Sequence, residues 1–89
     1  MGGVQATLNT TYNIVNDGTF SQKCTNALFY VGIPNSSTII GQGYIVDGVL
    51  TISYNHPSYP LTITYTNGTL SIARGSFGYE YSYLYIMYY

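Results

Sequence analysis

Leu61-Thr62-Ile63-Thr64-Tyr65-Thr66-Asn67-Gly68-Thr69-Leu70-Ser71-Ile72 is the stretch from which the fold is read. Apolar and hydroxylated residues alternate on both sides of Asn67-Gly68, the pattern of half-buried strands. Asn-Gly is the dipeptide that best tolerates the two positive φ angles of a two-residue hairpin turn. Folding there makes Thr66 face Thr69, Tyr65 face Leu70, Thr64 face Ser71 and Ile63 face Ile72. One face then reads Leu61, Ile63, Tyr65, Leu70, Ile72, and the other Thr62, Thr64, Thr66, Thr69, Ser71. A slip of one residue would turn the whole apolar set outward, so turn chemistry and pattern specify one register.

Working outward, Asp47-Gly48 is a second hairpin turn of the same type and Asn16-Asp17-Gly18 a third Gly-containing turn. The Asp47-Gly48 register pairs Val46 with Val49 on one face and Ile45 with Leu50 on the other. Both faces are apolar, so cover is expected on both sides, one from a second sheet and one from a neighbouring subunit. Gly41-Gln42-Gly43 falls where a strand should run and marks a bulge or bend. Pro34, Pro57 and Pro60 mark loops, because proline cannot donate to a ladder. Further strands are expected over 4–15, 19–23, 26–33 and 76–89, and no window carries a helical stripe. Seven to eight short strands in 89 residues give one all-β domain, 1–89, an antiparallel β-sandwich of jelly-roll or immunoglobulin-like kind.

Composition narrows the function classes. Charged residues make up 6% of the chain, against about 25% in an ordinary soluble domain. A net charge of −1 argues against nucleic acid as a partner. No apolar run approaches the ~20 residues of a membrane-spanning helix, so no membrane span is expected. The hydrophobic content of 46% is the reverse of a disordered composition. A single cysteine, Cys24, rules out a disulfide scaffold.

Phe77, Tyr79, Tyr81, Tyr83, Tyr85, Met87 and Tyr89 alternate without interruption, while the opposite face turns from Gly78, Glu80 and Ser82 to Leu84, Ile86 and Tyr88. Residues 79–89 are therefore read as a long C-terminal strand. It either curves to serve both sheets of its own sandwich, overhangs to complete a neighbouring subunit's sheet, or frays as a tail. Twelve tyrosines and three phenylalanines carry more ring surface than a core of this size holds. Several rings must lie outside it. Tyrosine suits interfaces, since its ring contributes area while its hydroxyl stays hydrogen-bonded. The expected interface is Tyr79, Tyr81, Tyr83, Tyr85, Ile86, Met87 and Tyr89.

Reactive chemistry is sparse. One histidine, one cysteine and three carboxylates are spread along the chain, and a Cys24–His56 dyad is the one nucleophilic pair available. Cys24 reads as a small core residue and His56 as a loop residue, so no catalytic residues, cofactor or metal are expected. The Thr62, Thr64, Thr66 row reads as a solvated strand face, or as a hydroxyl array for a flat ligand. Tyr54 and Tyr59, around the rigid 56–60 loop, read as an aromatic platform for a sugar ring. Asn9, Asn35 and Asn67 open N-glycosylation sequons, which fits an extracellular life. Met1-Gly2-Gly3 is followed by no basic and apolar run, so no signal peptide is expected in these residues.

A short, almost uncharged β chain rich in Tyr, Thr, Ser, Asn and Ile, with sequons, resembles the extracellular filament and virion structural proteins of thermoacidophilic archaea. The likeness is one of composition over the whole chain and assigns no residue a role. It implies an assembling β-sandwich with strand exchange between subunits. The expectation is a structural subunit of a virion (capsid or spike) or extracellular filament, with copies of itself or other structural subunits as partners. A carbohydrate-binding or adhesin-type surface module, with glycans as partners, is the alternative.

Overall fold

The computed structural model describes residues 8–15, 19–75 and 81–88. Eight strands run in chain order: β1 (Leu8–Val15), β2 (Thr19–Lys23), β3 (Ala27–Gly32), β4 (Ile39–Val46), β5 (Val49–Asn55), β6 (Leu61–Thr66), β7 (Thr69–Arg74) and β8 (Tyr81–Tyr88). They form two antiparallel sheets, one of five strands in the order β1-β8-β3-β4-β5 and one of three in the order β2-β7-β6. The chain is an all-β sandwich.

Both hairpins have the register that their turns dictate. Thr66 pairs with Thr69 and Ile63 with Ile72, and Val46 pairs with Val49 and Ile45 with Leu50. Asp47 and Asn67 lie at φ 52°, with Gly48 at 76° and Gly68 at 79°, the two consecutive positive angles of a type I′ turn. The bulge expected at Gly41-Gln42-Gly43 is present: register shifts between Gln42 and Gly43, and Ser53 of β5 is the extra residue. The expected turn at 16–18 and residues 4–7, 76–80 and 89 lie outside the described residues.

Alternation decides what is buried. From the five-stranded sheet Phe29, Val31, Ile45, Leu84 and Ile86 point inward, and from the three-stranded sheet Phe20, Leu61, Ile63, Leu70 and Ile72 meet them. Gly41 and Gly43 stand on the inward side of β4 without side chains. A Cβ on Gly41 would collide with Leu61 Cδ1, and one on Gly43 would lie 2.6 Å from the Thr51 carbonyl oxygen and 2.9 Å from Phe29 Cζ. At the corner between β5 and β6, Asn55 accepts the Leu61 N–H at 3.2 Å and donates to the Leu61 carbonyl at 3.1 Å, tying the two sheets together.

The C-terminal strand corrects the sequence reading. β8 pairs with β1 along one edge and with β3 along the other, from Tyr83 to Tyr88. With both edges occupied, 83–88 has no free ladder groups to offer a further strand. It is a central strand of the five-stranded sheet and takes no part in the smaller one. Ile86, expected at the interface, is fully buried in the chain's own core, because it shares the inward face with Leu84 and Tyr88.

Candidate interaction surface

The outward face of the five-stranded sheet carries the residues of interest. Register lines up Met87, Leu28, Tyr44 and Thr51 in one row across β8, β3, β4 and β5. The next row is Tyr85, Tyr30, Gln42 and Tyr54. Val46 and Val49 extend the face to the Asp47-Gly48 turn. Tyr30 stacks on Tyr85 with centroids 5.1 Å apart and meets Tyr83 edge-on at 6.3 Å. Tyr83 lies over Gly32, where an added Cβ would come within 2.6 Å of its ring, so the glycine seats the aromatic.

This face is open and uncharged. Leu28, Tyr44, Val46, Val49 and Tyr54 are between 38% and 64% exposed, and Tyr30, Tyr83, Tyr85 and Met87 are half-buried. Of the described charged residues, Lys23 and Arg74 belong to the smaller sheet and Asp47 to a turn, so none lies in these rows. Four strands about 4.8 Å apart and some seven residues long give a face on the order of 400–500 Å². That is within the range of the largest apolar patch on a typical monomer, a patch that is often functional. Of the nine tyrosines whose side chains are described, Tyr88 alone is buried, as the ring-surface argument requires.

The expected interface residues divide. Tyr83, Tyr85 and Met87 lie on this face, Ile86 lies in the core, and Tyr79 and Tyr89 fall outside the described residues. Tyr81 is placed in β8 opposite Val15. Leu28, Tyr30, Tyr44, Val46 and Val49 join the face although C-terminal periodicity does not point to them. The signal was the double-faced apolar pattern around Asp47-Gly48: Ile45 is fully buried while Val46 and Val49 stand bare. The expected cover on their outer side is not supplied by the described residues.

Elsewhere the chemistry is separated. The Cys24 N–H donates to the Gly68 carbonyl at the β6–β7 turn, whereas His56 precedes β6. The length of β6, roughly 17 Å, therefore lies between them, and they form no dyad. Cys24 packs half-buried beside the core, and its burial raises the thiol pKa. Tyr65 donates its hydroxyl to the Cys24 carbonyl at 3.0 Å, and the Tyr12 and Tyr88 hydroxyls share a hydrogen bond of 3.3 Å. Among the described residues no group of three His, Cys, Asp or Glu side chains converges as metal ligands, and no helix is long and apolar enough to cross a membrane.

The 56–60 loop gathers rings. His56 meets Tyr54 edge-on at 6.1 Å and Tyr59 at 4.9 Å, and the Ser58 N–H donates to His56 Nδ1 at 3.0 Å. Tyr54 is exposed; Tyr59, expected to be so, is half-buried against His56. Thr62, Thr64 and Thr66 are all exposed on the smaller sheet. Asn35 and Asn67 are exposed in turns with positive φ, and Asn9 lies in β1 opposite Met87. Comparison with models of known families, with curated proteins and with solved structures returns no match.

Proposed function

We propose that the protein is a structural subunit that self-assembles through the outward face of its five-stranded sheet. One observation carries this reading: a contiguous, uncharged, tyrosine-rich face remains in water after the core is complete. Two such faces stacked together would bury about 1,000 Å² in all, near the lower bound of a specific interface. Burying tyrosine faces removes apolar area, and the hydroxyls at the rim keep their hydrogen bonds. The absence of charge leaves nothing to repel an identical copy. A capsid, spike or extracellular filament is the setting that the compositional resemblance supports.

Light scattering and electron microscopy of the full chain, beside Leu28→Lys and Tyr44→Lys variants, test it. Both positions are exposed, so the fold should survive, and association should weaken about tenfold or more. A parent chain that stays monomeric at millimolar concentration would overturn the proposal.

The ring cluster at the 56–60 loop favours a second reading, a sugar-binding surface module. Its Ser58-bound His56 Nδ1 leaves Nε2 to carry the proton of the neutral ring, a donor beside the exposed Tyr54 ring. Glycan-array binding lost on Tyr54→Ala would support this module, and an array without signal would remove it.

A further inference from the structure

Among the described residues β5 is an edge strand, paired with β4 on one side only. Native edges are usually defended by a bulge, a lysine, a proline or an inward-pointing charge, and apart from its bulge at Ser53 β5 lacks the side-chain defences. Val49-Leu50-Thr51-Ile52-Ser53-Tyr54-Asn55 has no lysine, no proline and no charge. Leu50 is half-buried against the core, but an apolar side chain is exposed on each flank. Val49, 64% exposed, stands on the outward face; Ile52, 44% exposed, stands opposite Gly43 on the side that elsewhere forms the core. The other edges differ: β6 buries Leu61 and Ile63, β2 buries Phe20 and ends on Lys23, and β1 exposes Thr11 and Asn13. Stacking on the outward face would cover Val49 and leave Ile52 in water. A strand laid along the β5 edge reaches both.

We infer that β5 pairs antiparallel with β5 of a second copy, about a two-fold axis at Thr51. This deepens the proposed self-association and rests on it. The axis position follows from parity, because residues directly opposite in an antiparallel pair share a face. Centred on Thr51, inward Leu50 meets the second copy's inward Ile52, and outward Thr51 meets its own counterpart. Centred on Ile52, inward Leu50 would meet outward Tyr54, since the extra residue Ser53 breaks the alternation. Centred on Leu50, Ile52 would face the turn glycine Gly48. A second copy is the fitting occupant because an isologous pair matches length to length and brings no charge against charge. The two five-stranded sheets then become one, and the uncharged rows run across the axis onto the second copy.

Cross-linking tests the register directly. In a full-length Cys24→Ser chain, Thr51→Cys places two thiols opposite each other, with Cβ atoms about 4.5–5.5 Å apart. Mild oxidation should convert most of the Thr51→Cys chain to a covalent dimer. Thr64→Cys, exposed on the other sheet, should not cross-link. Ile52→Lys should shift the associated parent to monomer with an unchanged circular dichroism spectrum. An associated parent whose Thr51→Cys variant fails to cross-link, or whose Ile52→Lys variant still associates, overturns the β5 pairing and leaves the face reading standing. A parent that is monomeric at millimolar concentration overturns both.

Discussion

Ser82 is completely buried between the sheets, and its Oγ has no hydrogen-bond partner among the described residues. Burying an unsatisfied hydroxyl costs roughly 1–3 kcal/mol on mutational scales. Ser82→Ala removes the oxygen and keeps the backbone pairing with Ile14, so stability should rise by about 1 kcal/mol, read from urea unfolding. A loss of that size would mean that the hydroxyl does have a partner. The parity of Ser82 was legible: period two places it with Leu84, Ile86 and Tyr88. Its burial was not, because a serine at the polar end of a face reads as exposed. Ile86 went astray for the opposite reason. Its face was apolar enough for a core or for an interface, and only the neighbouring strands decide between them.

At the scale of elements, β4 and β5 are held together by what β4 lacks. The Gly43 position is bounded by backbone, the Thr51 carbonyl and the Ile52 Cα at 3.3 Å, which cannot rotate away. The Gly41 position is bounded by the end of the Leu61 side chain, which can. Gly43→Ala should therefore cost about 2–3 kcal/mol and Gly41→Ala nearer 1. Gly48→Ala meets no atom within 4 Å, and its cost of roughly 1–2 kcal/mol comes from its positive φ alone. Thermal melts of the three variants should rank in that sense, with Gly43→Ala lowest. The Asn67-Gly68 and Asp47-Gly48 registers were readable because a two-residue turn counts out the pairs. The seat of β8 between β1 and β3 was not. Alternation tells which side of a strand is apolar and is silent on what lies along its edges.

For the whole molecule, pH response is set by how few groups titrate. With three carboxylates and one histidine in the chain, acid adds few protons, so melting temperatures at pH 3 and pH 7 should be similar. Alkali differs. Burial raises the Tyr88 phenol from its ordinary 10.0, with the Tyr12 hydroxyl bond adding to the rise, and burial also raises the Cys24 thiol from 9.0. A group held above its unfolded value keeps its proton more tightly when folded. Its stabilisation is complete below the unfolded value and is lost as pH climbs toward the folded one. Stability should thus hold to about pH 9 and fall beyond it, and Tyr88→Phe should make that fall shallower in calorimetry. A drop of tens of degrees between pH 7 and pH 3 would contradict the acid arm.

The place of β8 also governs how the molecule can be made. β1, near the start of the chain, has β8 as its only ladder partner, and β3 needs the same strand on its free side. While the ribosome is still adding residues beyond β7, the larger sheet lacks its middle. The hairpins can form early, being local, but the first strand must wait for the last before the sheet closes. Closure through contacts between strands so distant in sequence makes this a slow-folding chain for its size. Its tyrosine rows, drawn from β8, β3, β4 and β5, are thus ordered into one surface only once β8 has been made and seated.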